Sequence, residues 1–245
     1  MKKKLCLVAV VFCAATLFGQ TAGSFPCIFH NLAQNTYADS QIYVYAIGMA
    51  NGAWNHLDSL GNPQPFNAAD VTAPGHLTKG GRNFPNYAFR ITSAKNFRIP
   101  PVVGGGRIYM SVGSPMFMTG SSGGVQLPDP NNSGDPNDDV YYDWFEYTYL
   151  YNQVQFGGNT TQVDIFGFPF VAKVCQSSTH YNDSCGISGM ARDQIIQYFT
   201  THMSAPFQGC IKNCRVVAPR SASQFGTGGA YVDYLKPYID SMWAL

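Results

Sequence analysis

The chain has 245 residues, 45% of them apolar and 14% aromatic, with only 12% charged and a formal net charge of +1. This length carries one large domain or two small ones with ample core. The near-neutral charge excludes a global field that would gather nucleic acid or an anionic membrane surface. With 25 glycines and 15 prolines, many turns are favoured over long helices.

The N-terminus begins with Lys2, Lys3 and Lys4, then an apolar run from Leu5 to Phe18, then small residues around Gly19, Ala22 and Gly23. This is the pattern of a signal peptide spanning 1–23, and the run is short for a membrane span of about 20 residues. Cys13 follows the bulky Phe12, where a lipobox wants a small residue, so soluble export is expected, with cleavage between Gly19 and Ser24. The mature chain is expected to be a secreted, extracellular monomer without a membrane or nucleic-acid partner. Five cysteines then remain: Cys27, Cys175, Cys185, Cys210 and Cys214. Export favours disulfides, with the local pairs Cys175–Cys185 and Cys210–Cys214 and Cys27 left over. Zinc is the rival reading, but there is no CxxC and no histidine at ligand spacing, so no metal is expected.

From 24 to about 174 the pattern is β. In "QIYVYAIGMA" (41–50), Ile42, Val44 and Ala46 alternate with Tyr43, Tyr45 and Ile47, as in a strand covered on both faces. "YAFRITSAKNFRIPP" (87–101) and "GRIYMSVGSPMFM" (106–118) are further strand candidates. "LPDPNNSGDPNDD" (127–139) is an acidic loop without apolar anchors. "YYDWFEYTYLYNQVQFGGNTTQVDIFGFPF" (141–170) reads as two aromatic and β-branched strands around "QFGGN". Beyond Cys185 the period changes. Over 188–203, Ala191, Ile195, Ile196, Phe199 and Met203 form an apolar stripe and Ser188 a plausible N-cap, so an amphipathic helix is expected. A second helix is expected over 231–243, kinked or restarted at Pro237. Its apolar end, "MWAL", leaves two readings: the helix docks, or the natural domain continues. The outline is one domain from 24 to 245, with a β body to about 174 and a helical, cysteine-bearing part after it.

Familiar catalytic motifs are absent: there is no GxSxG, HExxH or Walker loop. The glycine run in "VVGGGRIY" (102–109) leads into a strand and needs no phosphate. His30, His56, His76, His180 and His202 are scattered. No cofactor is expected. What remains is a pair of acids inside the aromatic run. By period-two geometry Tyr142, Trp144, Glu146 and Thr148 share one strand face, and Thr160, Gln162, Asp164 and Phe166 share another. If the faces coincide, two carboxyls meet rings, hydroxyls and amides, the composition of a carbohydrate site. Directly opposed strand residues have Cβ atoms about 4.5–5.5 Å apart and diagonal ones about 7–8 Å. Retaining glycosidases need carboxyls about 5–5.5 Å apart and inverting ones about 6.5–9.5 Å. The register is open on spacing alone. Asp143, Asp138 and Asp139 read as surface or cleft-lining charge. Asn131, Asn159 and Asn182 sit in N-x-S/T sequons.

"DWFEYTY" (143–149) followed by "NTTQVDIFGFPF" (159–170) resembles glycoside hydrolase family 64, the secreted β-1,3-glucanases related in fold to thaumatin-like proteins. "GGRIYMSVGSPM" (105–116), "RVVAPRSASQF" (215–225) and "YLKPYIDSMW" (234–243) are similar to other segments of that family, so the likeness runs from Ile42 to Trp243. The resemblance implies a mainly β fold: a thaumatin-like β-sandwich or barrel with a mixed α/β part and a groove between them. It implies endo-acting, inverting hydrolysis of β-1,3-glucan, with Glu146 as general acid and Asp164 as general base. It places Thr148 and Thr161 against the glucan. Trp144, Tyr151 and Asn159 complete the candidate substrate-binding set. The family's tryptophan between the two strands is absent here, and Tyr151 or Phe156 stands nearest to replace it. Members continue past the position of Trp243 with further strands. Two rival readings stand beside the hydrolase: a non-catalytic β-glucan-binding protein on the thaumatin-like scaffold, and an inactive, shortened relative.

Overall fold

The computed structural model describes residues 8–14, 23–33, 36–160 and 162–244. A five-stranded sheet has the order β17 (Tyr181–Gly186), β16 (Phe170–Gln176), β1 (Val8–Ala14), β2 (Phe25–Asn31), β9 (Arg98–Ile99). A seven-stranded sheet runs β14 (Val154–Asn159), β13 (Tyr141–Leu150), β10 (Val102–Val112), β3 (Ile42–Ala50), β4 (Ala53–Leu57), β5 (Pro63–Pro65), and β8 (Phe89–Arg90) joins it at β3. Three two-stranded sheets complete the described strands: the hairpins β6 (Leu77–Lys79) with β7 (Arg82–Phe84) and β11 (Thr119–Ser121) with β12 (Gly124–Gln126), and the long-range pair β15 (Ile165–Phe166) with β18 (Val216–Val217). The helices are α1 (Arg192–His202), α2 (Ala205–Gln208) and α3 (Lys236–Trp243).

The larger sheet is buried on both faces, because its central strands carry apolar and aromatic side chains on both, as in Ile42–Ile47, Ile108–Met110 and Trp144–Phe145. One face presents Ile42, Val44, Ala46, Ile108, Met110, Phe145 and Tyr147 to Cys27, Ile99, Phe170 and Ala172 of the smaller sheet, which makes a sandwich. The other face presents Tyr45, Ile47, Tyr109, Tyr142 and Trp144 to residues of the long connections, among them Phe84, Met116, Val140, Ile165 and Val217. The expected two-sided burial of 41–50 is therefore found, and the fold is mainly β.

Several expectations are corrected. Segment 87–101 is no continuous strand: a one-turn helix at Ile91–Ser93 separates β8 from β9. The hairpin turn after β13 lies at 151–153, with Asn152 at φ 59°, and "VQFGGN" is strand β14. Gly158 suits that strand because a side chain there would run into the Phe145 ring and the Glu146 carbonyl. The sandwich extends past 174, since β17 pairs with β16. Helix α1 starts at Arg192, after Gly189 turns the chain at φ 83°. Its cap is the Gln194 side chain, which accepts from the Ala191 amide at 2.9 Å, and Ser188 plays no part. Ile196 and Phe199 pack on the second core. Pro237 stands in the first turn of α3, the restart position, and Trp243 at its end is 87% exposed, so this helix end does not dock.

No disulfide forms among the described residues; Cys27, Cys175, Cys185, Cys210 and Cys214 are free thiols. Cys175 faces Asn182 across the β16–β17 ladder, whereas Cys185 faces Ala172. Three residues along a strand is about 10 Å, beyond disulfide reach. Cys210 lies in the second core, while Cys214 sits beside Arg215 and Arg192. Within the expected leader, Val8–Ala14 pairs parallel with β16 and antiparallel with β2. Lys2–Lys4 and the expected cleavage region from Gly19 to Ala22 lie outside the described residues. None of the described helices is long and apolar enough to cross a membrane.

Polar groups sealed in the interior tie the connections to the sheet. The acidic loop 127–139 is anchored by an amide: Asn137 accepts from the Phe117 amide at 2.7 Å and donates to its carbonyl at 2.9 Å. Arg215, 1% exposed, donates to the carbonyls of Asn137, Asp138 and Val140 at 2.8, 3.0 and 3.0 Å. Its guanidinium also stacks 4.5 Å from the Tyr142 ring centre. Asp143, fully buried, is the opposite of the expected surface charge. Burial pushes its carboxyl up to about 7, against the pull of its amide donors. The folded chain thus holds this proton up to about pH 7, whereas an unfolded chain releases it near the ordinary value of 3.8. Between those values the folded state binds more protons, so stability falls as pH rises through the window, by an amount on the order of a few kcal/mol. Urea unfolding between pH 4 and 7 is expected to show this decline in the wild type and to lack that component in Asp143→Asn; parallel curves would refute it.

Candidate active site

Strand β13 alternates its side chains across the sheet, and the even positions Tyr142, Trp144, Glu146 and Thr148 point to the second face. This follows the expected period. Across the β10–β13 ladder Arg107 stands opposite Glu146, and Tyr109 opposite Trp144. The Trp144 indole donates to Glu146 Oε1 at 3.1 Å. Arg107 Nε lies 2.9 Å from the same oxygen, a charge contact whose N–H is turned off the line of a good hydrogen bond. Arg107 also donates to the Tyr109 hydroxyl at 3.3 Å. Tyr109 and Trp144 lie with ring centres 5.6 Å apart and planes tilted by 37°, giving the sheet an aromatic floor beside the glutamate.

Asp164 arrives from a different element. It belongs to a turn at 162–164 that leads into β15, and β15 pairs with β18. The expectation that Thr160, Gln162, Asp164 and Phe166 share a strand face beside β13 is therefore corrected. β14 leaves β13 at Asn159, which pairs with Glu146, so the two carboxylates are not cross-strand neighbours. The Asp164 carbonyl accepts from the Ala218 amide at 2.8 Å, and its carboxylate is ion-paired with Arg220.

Asp164 lines a cavity of about 430 Å³ with Arg107, Tyr109, Trp144, Arg220, Ser221 and, from the acidic loop, Leu127, Pro128, Pro130 and Asn131. Glu146 is not itself a lining residue, but both side chains it contacts, Trp144 and Arg107, are. Both carboxylates act on the Tyr109 phenol, which burial above all pushes up to about 12, with Arg107 pulling the other way and Glu146 and Asp164 raising it. The floor can stack on a sugar face, and the arginines and carboxylates can bond hydroxyls.

The remaining expected residues fall in different places. Thr148 is exposed on β13, two positions beyond Glu146 on the same face. Asn159 is exposed opposite Glu146. Trp144 is 6% exposed and forms the floor. Tyr151 stands in the turn past β13, against Gly23, and is not brought to the cavity. Phe156 packs edge-on to Phe25 at 5.0 Å on the sandwich side. Thr161 lies outside the described residues. Among the described residues no group of three or more His, Cys, Asp or Glu is arranged to hold a metal ion. Sequence reading missed Arg107, Tyr109 and Arg220. Arg107 and Tyr109 alternate within "GRIY", but only the strand register joins them to Glu146, and Arg220 comes from a one-turn helix far along the chain.

Comparison with known proteins gives the same direction. The family profile described as β-1,3-glucanase, glycoside hydrolase family 64, matches residues 29–245. A solved laminaripentaose-producing β-1,3-glucanase of that family from Paenibacillus barengoltzii is 30% identical, with a TM-score of 0.78 over 95% of this chain and 52% of its own. The same enzyme complexed with laminarihexaose gives 29% identity and a TM-score of 0.79 over 95% of this chain and 52% of its own. A β-1,3-glucanase domain from Clostridium beijerinckii shares the fold at 24% identity and a TM-score of 0.76, over 97% of this chain and 60% of its own. This chain thus spans about half the length of the Paenibacillus structures it matches. No match was found among curated proteins. With the profile covering most of its length, the chain belongs to glycoside hydrolase family 64, the β-1,3-glucanase family.

Proposed function

We propose that the chain is an exported, endo-acting β-1,3-glucan hydrolase that inverts the anomeric centre, with Glu146 as general acid and Asp164 as general base. The observation that carries this reading is a cavity lined by Asp164 and by Trp144 and Arg107, the two residues that contact Glu146, with both acids close enough to act on the Tyr109 phenol. Because the acids stand on separate elements and not on opposed strand positions, the arrangement suits the wider spacing that leaves room for water. In the reaction Glu146 gives its proton to the glycosidic oxygen as that bond breaks. Asp164 takes a proton from the water that attacks the anomeric carbon from the opposite face. Both described donors to Glu146 fall on Oε1, so Oε2 is the oxygen available for the transferred proton. Asp164 is ion-paired with Arg220, a contact that orients its side chain at the cavity it lines. Thr148 and Asn159 extend the site along the sheet, and Thr161 belongs with them by resemblance. The sandwich with its loop-roofed cavity is read as the thaumatin-like plan and its groove.

One observation favours a second reading. Each carboxylate is already engaged by an arginine, Glu146 by Arg107 and Asp164 by Arg220, and a site held that way could bind glucan without cutting it. Release of reducing ends from a linear β-1,3-glucan separates the two. Glu146→Gln and Asp164→Asn are each expected to lower the rate at least about 100-fold while laminarihexaose binding persists. Wild-type rates in both variants would remove the assignment, and binding without turnover in the wild type would favour the second reading.

Export rests on the basic and apolar N-terminal segment. Cleavage there would remove β1 from between β2 and β16. Mass spectrometry of protein recovered from the medium is expected to find an N-terminus between Gly19 and Ser24; a secreted chain retaining Lys2–Lys4 would contradict this.

A further inference from the structure

The proposed reaction uses Glu146 and Asp164 but leaves unexplained a third acid of the same aromatic run. Asp143 is fully buried, three residues before Glu146 on the opposite face of β13. Its partners are neutral amides: Oδ1 accepts from the Trp144 amide at 2.8 Å, and Oδ2 from the Gly167 amide at 2.9 Å and the Gln162 side chain at 3.3 Å. Trp144 is the residue that hydrogen-bonds Glu146. Gln162 and Gly167 flank Asp164 on either side in the chain. One carboxyl group therefore binds both ends of the segment carrying the proposed base and, at the same time, the strand carrying the proposed acid.

The place where it does so is built for close approach. β14 pairs with β13 only from Glu146 onward, so the edge of β13 before that point is left to segment 162–168. Gly167 packs there against the Tyr142 carbonyl, where any Cβ would overlap it. The segment is fixed from its far side as well, because buried Arg192 donates to the Gly167 carbonyl at 2.7 Å. Gln162 further spans to the Phe168 carbonyl at 3.2 Å, closing the turn around Asp164. A carboxyl group without a counter-cation is costly to bury for packing alone, protonated or ionised, whereas its two oxygens are suited to bridging two chain segments that no ladder joins.

We infer that Asp143 is a positioning residue: by clamping segment 162–168 to the edge of β13 it sets the offset between Asp164 and Glu146. The inference rests on the acid and base assignment above. Asparagine can accept through only one of its two terminal atoms, so in Asp143→Asn either the Trp144 or the Gly167 amide loses its acceptor. A displacement of about 1 Å at a reacting group can cost on the order of 100-fold in rate. Asp143→Asn is therefore expected to lower kcat roughly 10- to 100-fold with KM within about two-fold, the signature of lost transition-state alignment.

Three measurements test it. Hydrogen exchange should speed up over 162–168 in Asp143→Asn and stay slow in the central strands; unchanged exchange there overturns the clamp whatever the activity. In an Asp164→Asn background, adding Asp143→Asn should lower the residual rate no further, since the base whose place it sets is gone. A further loss of the same factor would mark a merely structural role and overturn the inference. If Asp164→Asn alone kept the wild-type rate, the base assignment would fall, and the exchange result would still decide the clamp. Should Asp143→Asn not fold, Gln162→Ala removes one arm of the clamp: a several-fold loss in kcat with faster exchange over 162–168 supports the inference, and wild-type values for both overturn it.

Discussion

A carboxyl group closed off from water has to find hydrogen-bond partners, and Asp143 finds them in the amides of Trp144, Gly167 and Gln162. That requirement joins two parts of the chain that the sheet does not join. β13 is bonded on one side to β10 along nearly its whole length, but on the other to β14 only from Glu146 onward. The edge left open is where the Asp164 segment lies. Much of the site follows: Glu146 is fixed by the ladder, Asp164 by the clamp and by the Ala218 amide. The two acids are thus carried by one rigid strand and one turn, and on the proposed mechanism the clamp sets the offset between them.

The electrostatics of the cavity are balanced within it. Two carboxylates face two guanidiniums, Arg107 and Arg220, over a floor of Tyr109 and Trp144. Hydrogen-bonded sugar hydroxyls can compete for such contacts, particularly that of Arg220, whose side chain is 74% exposed. Arg107, by contrast, is held between Glu146 and the Tyr109 hydroxyl and belongs to the fixed wall. Burial of the larger sheet on both faces gives this wall its rigidity, since close packing leaves the side chains of β10 and β13 little freedom.

How far the sequence could be read depended on the range of the interaction involved. Alternation along 41–50 and 141–150 is local and carried over directly, placing Trp144, Glu146 and Thr148 on one face. What failed was set by contacts between distant residues. Asp143 looked like surface charge because acids usually are; the donors that seal it besides its neighbour Trp144 are Gln162 and Gly167, 19 and 24 positions further on. "QFGGN" looked like a turn because glycines usually mark one. Here Gly158 is required instead by the approach of Phe145 and the Glu146 carbonyl. The Cys175–Cys185 pairing assumed that nearness in sequence meant nearness across a ladder, and the register sets them three residues apart. Arg220 reaches Asp164 from 56 residues away, which no spacing rule could announce.

The chain belongs to family 64, and the proposed substrate class follows from that membership. The chain spans only 52% of the Paenibacillus structures it matches, and one end of its last helix lies open to solvent, so turnover by this chain is the point on which the account turns. The most direct test follows the anomeric proton signals of fresh product by NMR as the chain acts on laminarihexaose. Water activated by Asp164 on the face opposite the protonated bond should release the α-anomer first, with the β-anomer growing in only by mutarotation. The β-anomer appearing first would contradict the two-carboxylate inverting mechanism.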